Sequence, residues 1–495
     1  MVFNSFEFLI FFPIFLLLYR ILPLKFRWVM MLLLSLVFYM SWQADLLYLI
    51  LFTTVVSYTC AIKIEKHKGK RKTQKAYMIF AVSASLFVLF FFKYFNFVSK
   101  NISGLLNLFG AQVSDFTLNL ILPVGISFYT FQTLSYVIDV YRGTMPAERH
   151  FGYYALYVTF FPQLVAGPIE RPENLIPQLK EKNPFNVNDT AMGLKFMMVG
   201  FFKKIVVADG VAKFVDAVYN NVESGSHALV NGFTVLIATL LFAVQIYCDF
   251  SGYTDIAIGC ARVLGIRLMQ NFNDPYVATS IKDFWRRWHI SLTSWFTDYV
   301  YIPLGGSRCA KWRHLLNIMI VFLLSGIWHG AAWTYILWGV LHGVYQIVGN
   351  LTAKPRQRLL NKIGISETNF AVVWTRRIIT FLLVSFAWMI FRANSLSDLG
   401  SLIATLFGGW SSVSISESLK ALELSLINIL TIILSLVVLK QLDLQINTKP
   451  NLDNSALLLN PARSAVYVTV TWTITLAWII LLMSGEQSAF IYFQF

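Results

Sequence analysis

Three of the four histidines between Ile281 and Gly343 are the side chains of this sequence best suited to chemistry. His289 ends the run Asp283-Phe284-Trp285-Arg286-Arg287-Trp288-His289. His329 lies in Ser325-Gly326-Ile327-Trp328-His329-Gly330, and His342 in Leu341-His342-Gly343. His329 and His342 sit inside apolar runs long enough to be membrane helices, where an ionisable group is costly and is therefore a functional candidate. Glycines on both sides of Trp328-His329 let backbone or substrate come close to the imidazole. A neutral imidazole is a natural general base at physiological pH. His329 can take a proton from a hydroxyl while that oxygen attacks an activated acyl group, and His289 can orient the substrate or steady developing charge. Arg286 and Arg287 offer planar forks of donors suited to the phosphates of a carrier thioester, and Trp328 is a further candidate for donor binding. No Gly-rich phosphate loop, serine nucleophile elbow or metal signature is present, which argues against an ATPase or a soluble-type hydrolase. No metal and no permanently bound cofactor is expected.

The same residues admit structural readings. His329 can instead bond a carbonyl between helices, His289 can be part of an interfacial helix, and His342 reads as packing. Arg286 and Arg287 can snorkel to lipid phosphates. Asp249 and Asp255 can pair with basic residues as structural glue, and Lys203-Lys204 reads as an inside-facing anchor.

What must hold these groups is a membrane frame. Of 495 residues, 57% are hydrophobic and 13% charged, against about 25% charged in soluble domains. The net charge of +15 sits in short loops between apolar spans, a positive-inside pattern rather than a nucleic-acid footprint. Four cysteines show no paired spacing and imply no disulfide framework. Candidate spans lie near 6–21, 28–43, 46–62, 77–96, 119–140, 151–166, 194–216, 229–249, 314–329, 333–350, 377–392, 423–439 and 465–483. Each crossing needs about 20 apolar residues, so some of these are re-entrant. The expected fold is an all-α polytopic membrane protein of roughly eleven transmembrane helices, with re-entrant or interfacial helices around a central funnel. The first span reads as an uncleaved anchor. The basic loop Lys63 to Lys72 is expected in the cytoplasm, with both termini outside. One membrane domain is expected over 1–495, divided into N-terminal helices (1–118), a catalytic core (119–350) and C-terminal helices (351–495).

Polar stretches beside the spans suggest a water-accessible chamber, since non-helical backbone at membrane depth survives only around a cavity or inside protein. They include Pro123-Val124-Gly125-Ile126-Ser127-Phe128, Ala166-Gly167-Pro168 and Asp249-Phe250-Ser251-Gly252-Tyr253. Together with Met1-Val2-Phe3, Phe284-Trp285-Arg286-Arg287-Trp288-His289, Leu304-Gly305-Gly306, Trp328-His329-Gly330 and Phe391-Arg392-Ala393, they run nearly the whole chain in order. In this ordered set the chain resembles the membrane-bound O-acyltransferases, of the bacterial type that acetylates envelope polysaccharides such as alginate, peptidoglycan or cellulose. More weakly, it resembles the D-alanyl transfer proteins of teichoic acids. The resemblance implies catalysis by His329 with His289 as the second important histidine. It implies cytoplasmic acetyl-CoA as acyl donor and residence in the bacterial cytoplasmic membrane. It also implies a separate extracytoplasmic acetyltransferase, of the SGNH type, that finishes transfer to the exopolysaccharide.

The segment Phe490-Ile491-Tyr492-Phe493-Gln494-Phe495 resembles the terminal tyrosine motif of such systems, in which the tyrosine carries the acyl group. Covalent relay splits one hard step into two easier ones. A phenol with a pKa of about 10 needs a base, which His329 can supply if the tail folds back into the funnel. The competing functions are a transporter and a non-catalytic scaffold of a polysaccharide export or modification complex. No internal repeat is visible to favour the transporter.

Overall fold

The computed structural model describes the chain apart from residues 119, 166, 225–229, 411–414, 448–460, 484–489 and 492–495. Tyr492 therefore lies outside the described residues. Helices and loops make up the described residues, with no strand among them. An all-helical fold is what a lipid solvent demands of a spanning chain that does not close a barrel, because a helix satisfies its backbone internally. Among the described residues, six helices are long and apolar enough to cross a bilayer: Leu24–Trp42, Ala44–Lys66, Arg71–Leu108, Gly232–Val263, Phe370–Arg392 and Leu426–Asp443. Other apolar runs are carried by shorter helices, such as Phe6–Ile21 and the pair Phe151–Thr159 and Phe161–Leu164.

The hydrophobic surface faces outward. Phe80, Phe87, Leu430 and Ile480 are exposed, whereas Gln132, Asp249, Lys204 and His289 are buried. This distribution suits a lipid exterior around a polar interior. Helix Ile126–Arg142 shows why the polar run at 127–135 is tolerated. It is buried continuously from Ile126 to Val137, so Ser127, Thr130, Gln132, Thr133 and Ser135 face protein rather than hydrocarbon. Its start is held by Gly125, which has φ 74°. A Cβ there would come within 2.6 Å of the Leu164 carbonyl oxygen. The short helix Phe161–Leu164 can pack this closely only against a glycine.

Helix Gly232–Val263 is the central post. It crosses helix Val187–Phe201 where Gly200 and Gly252 meet, and a Cβ on Gly200 would lie 2.5 Å from the Gly252 carbonyl oxygen. Small residues at a crossing let two backbones approach, as is usual in membrane bundles. Directly after this crossing the chain widens into a π-helical turn, Phe202–Ala208. Two more π-helical turns occur, at Phe90–Tyr94 and Thr297–Tyr301. Such turns are frequent at functional sites, and two of them carry buried or bundle-facing lysines.

Here the anchor reading of Lys203-Lys204 is corrected. Both side chains are buried, and both are paired across the Gly200–Gly252 crossing. Lys203 meets Asp255 at 2.8 Å and Asp443 at 3.6 Å. Lys204 meets Asp209 at 2.9 Å and Asp249 at 2.8 Å. The π turn directs both lysines inward, where an unpaired charge would be costly. Asp249 and Asp255 do pair with basic residues.

Candidate active site

His289 is positioned by a broken helix. Ser280 caps helix Ile281–Arg287 by accepting from Asp283 N, and Asp283 pairs with Arg287 at 3.0 Å one turn on. The chain then leaves helical geometry at Trp288, and His289 takes up φ 45°, ψ 53° before helix Ile290–Phe296 begins. A left-handed conformation is uncommon for a non-glycine residue, and surrounding structure must hold it. Asn271 does so. Its backbone carbonyl accepts from Ile290 N at 2.9 Å. Its Oδ1 accepts from Ser291 Oγ at 2.9 Å and Ser291 N at 3.3 Å. That same oxygen lies 3.1 Å from His289 Nδ1. Because Oδ1 already accepts a backbone N–H, it is the acceptor for the ring as well. The neutral imidazole thus carries its proton on Nδ1 and its lone pair on Nε2. Full burial pushes His289 down to about 3, so it is neutral at physiological pH.

His329 is the last residue of helix Lys311–His329, and Gly330 beyond it is extended. A helix end inside the protein needs partners for its last carbonyls. Tyr94 OH donates to Ile327 O at 2.7 Å. Lys93 Nζ donates to Trp328 O and His329 O, both at 2.9 Å, and reaches Ser127 Oγ at 3.4 Å. A cation at a helix C-terminus also complements the helix dipole. The His329 ring packs against Trp328 and Trp338, each with centroids 4.9 Å away, and Phe391 at 5.3 Å. Trp328 lies 6.0 Å from the His289 ring, so one indole contacts both histidines. Beside His329 is a cavity of about 50 Å³, room for a few waters. Lys93, Pro123, Gly125, Ser127, Trp328 and His329 are among its lining residues.

Lys93 was not singled out from the sequence. Its signal was an isolated charge after Leu89-Phe90-Phe91-Phe92 in the middle of a span, which is a functional candidate in its own right. Replacing it with methionine keeps length and the apolar stem but deprives Trp328 O and His329 O of their donor. Hydrogen bonds to charged groups are worth about 1.5–3 kcal/mol. Lys93→Met is expected to lower acyl transfer at least about tenfold while the protein still accumulates. Wild-type transfer in that variant would show that the lysine does not position His329.

The remaining candidates separate. His342 is fully buried and accepts from Trp285 Nε1 at 3.2 Å, with Trp338 against its ring at 4.9 Å; it packs. Trp328 lines the cavity, and its indole N–H has no acceptor among the described residues. Arg287 is engaged with Asp283 and the Asn273 carbonyl, and Arg286 is exposed. Neither arginine is among the residues lining the cavity. Among the described residues, no group of three or more His, Cys, Asp or Glu could hold a metal.

The tail reaches this region. Phe490 and Ile491 are buried. The Phe490 ring stacks on Tyr253 at 4.1 Å and lies 6.2 Å from Phe250. Phe250 in turn meets the His289 ring edge-on at 4.7 Å. One aromatic ring thus separates the tail from His289.

The model of the membrane-bound O-acyltransferase family matches residues 148–391, which include His289, His329 and Phe391. The chain is 37% identical to a probable alginate O-acetylase of Azotobacter vinelandii, over 89% of this chain and 84% of that protein. It is 34% identical to a probable alginate O-acetylase of Pseudomonas putida, over the full length of both. A peptidoglycan O-acetyltransferase of Helicobacter pylori is 36% identical over 74% of this chain and 70% of its own.

Proposed function

The chain belongs to the membrane-bound O-acyltransferase family, and on that premise we propose that it loads acetyl from cytoplasmic acetyl-CoA onto Tyr492 for delivery outside. It is a multi-pass membrane O-acyltransferase with O-acetyltransferase relatives. The proposal adds the donor, the carrier and the direction. His329 accepts the phenol proton of Tyr492 as the phenolate oxygen attacks the thioester carbonyl. The carbon–sulfur bond breaks, the coenzyme thiolate recovers the proton, and an aryl acetate remains. His289, with its lone pair on Nε2, orients the acceptor. Trp328 and the arginines at 286 and 287 are candidates for donor contact. A separate extracytoplasmic transferase of the SGNH type then passes the acetyl to an envelope polysaccharide. In this reading the protein resides in the bacterial cytoplasmic membrane with both termini outside.

The observation that carries the reading is the tail: Phe490 and Ile491 are buried one ring away from His289. Labelled acetyl-CoA supplied to the inner face of oriented vesicles is expected to label the full-length protein within its last residues. Labelling only from the outer face would overturn the direction, and label elsewhere on the chain would overturn the carrier.

A further inference from the structure

Asp249 is nearly fully buried and has both carboxylate oxygens engaged. Oδ1 faces Lys204 Nζ at 2.8 Å. Oδ2 accepts the backbone N–H of Ile491 at 2.7 Å, across 242 residues of sequence. On the same stretch of helix Gly232–Val263, Phe250 and Tyr253 form the seat for the Phe490 ring. We propose that Asp249, braced by Lys204, is the positioning residue that docks the tail, with Phe250 and Tyr253 as its aromatic seat. The functional consequence, that docking sets the register of the acyl carrier, rests on the reading of Tyr492 given above.

The chemistry suits a backbone clamp. Two lysines, 203 and 204, here face four carboxylates: Asp209, Asp249, Asp255 and Asp443. The cluster is therefore rich in acceptors, and a carboxylate oxygen can take an N–H donor without losing its ion pair. Emptying the seat would leave Oδ2 short of a donor in a low-dielectric interior. A backbone N–H recognises chain geometry rather than a side chain, while the ring stack on Tyr253 selects an aromatic residue at 490. These contacts are non-covalent, which leaves the tail able to depart for an outside acceptor. The same Tyr253 ring also meets Phe3 at 5.0 Å, so both ends of the chain converge on this seat. The Asp249-Phe250-Ser251-Gly252-Tyr253 element thereby gains a physical role: Gly252 admits the neighbouring helix, and Asp249, Phe250 and Tyr253 hold the tail.

The test reads docking directly. In full-length protein carrying Ile491→Cys, N-ethylmaleimide labelling of residue 491 is followed in native membranes by mass spectrometry of the C-terminal peptide. With Asp249 intact the thiol is expected to react slowly, since position 491 is 3% exposed. Asp249→Asn should speed labelling about tenfold or more, in line with the loss of a bond to a charged group. Asp255→Asn disrupts the neighbouring, less buried ion pair with Lys203 on the same helix; among the described residues Asp255 makes no contact with the tail, so labelling should stay slow. Unchanged labelling in Asp249→Asn overturns the clamp. Fast labelling in both variants overturns it too, because general loosening would then explain the release. Tyr492→Phe separates the two proposals. Slow labelling with normal polymer acetylation would sink the carrier and leave the clamp standing as an anchor for the tail.

Discussion

Replacing His329 with alanine is expected to lower polymer acetylation by about 10²–10⁴-fold, the usual worth of a positioned general base. The protein should still insert and accumulate. The carbonyls of Trp328 and His329 that bind Lys93 belong to the backbone, so the helix end keeps its cap when the imidazole is removed. The rings of Trp328, Trp338 and Phe391 would lose a neighbour, and the resulting void costs some stability. His329→Gln controls for that, since it fills most of the space but cannot take a proton at neutral pH. Both variants should fail alike. The measurement is envelope O-acetyl content in a deletion strain complemented with each variant at matched protein levels. Near-normal acetylation in either would remove His329 from the chemistry and favour a scaffold, for which the imidazole is dispensable.

Tyr492→Phe should be as damaging, although it deletes a single oxygen. The carrier mechanism needs a nucleophile that forms and then gives up an ester, and no phenylalanine can do so. We expect acetylation to fall by at least about 10²-fold, with no label retained on the chain from acetyl-CoA. The aromatic ring is kept, and the contacts of Phe490 and Ile491 with Tyr253, Phe250 and Asp249 do not use the phenol. The tail should therefore stay docked while transfer stops. Polymer acetylated at the wild-type rate would mean that the segment anchors the helix end and carries nothing.

Paired with Asp249→Asn, these variants divide the process into parts. His329 changes remove proton transfer, Tyr492→Phe removes the acceptor atom, and Asp249→Asn removes the clamp on the tail together with the Lys204 ion pair. An inactive enzyme with a docked tail and an inactive enzyme with a free tail are then different observations rather than one.

The sequence by itself determined the class of solvent and the all-helical answer to it, and it marked His289 and His329 as candidates for chemistry. These follow from local properties: apolar runs, the charge of short loops, and an imidazole between Trp328 and Gly330 inside such a run. The ordered short elements also pointed to the family, and the relatives bear that out. Tertiary structure decided what each group touches. Lys93 holds the His329 carbonyl across 236 residues, Asn271 sets the His289 tautomer across 18, and Asp249 takes the Ile491 N–H across 242. Periodicity carries no information on such pairings, because they depend on which helices cross and on where a π turn redirects a side chain. Lys203 and Lys204 show the limit most clearly. As a dibasic step beside apolar residues they read as an inside-facing anchor, yet the glycine crossing and the π turn bury them against four carboxylates. Which way a lysine points in a membrane protein is settled by the partners waiting for it, carboxylates for Lys203 and Lys204 and carbonyls for Lys93, since a buried charge without partners is costly.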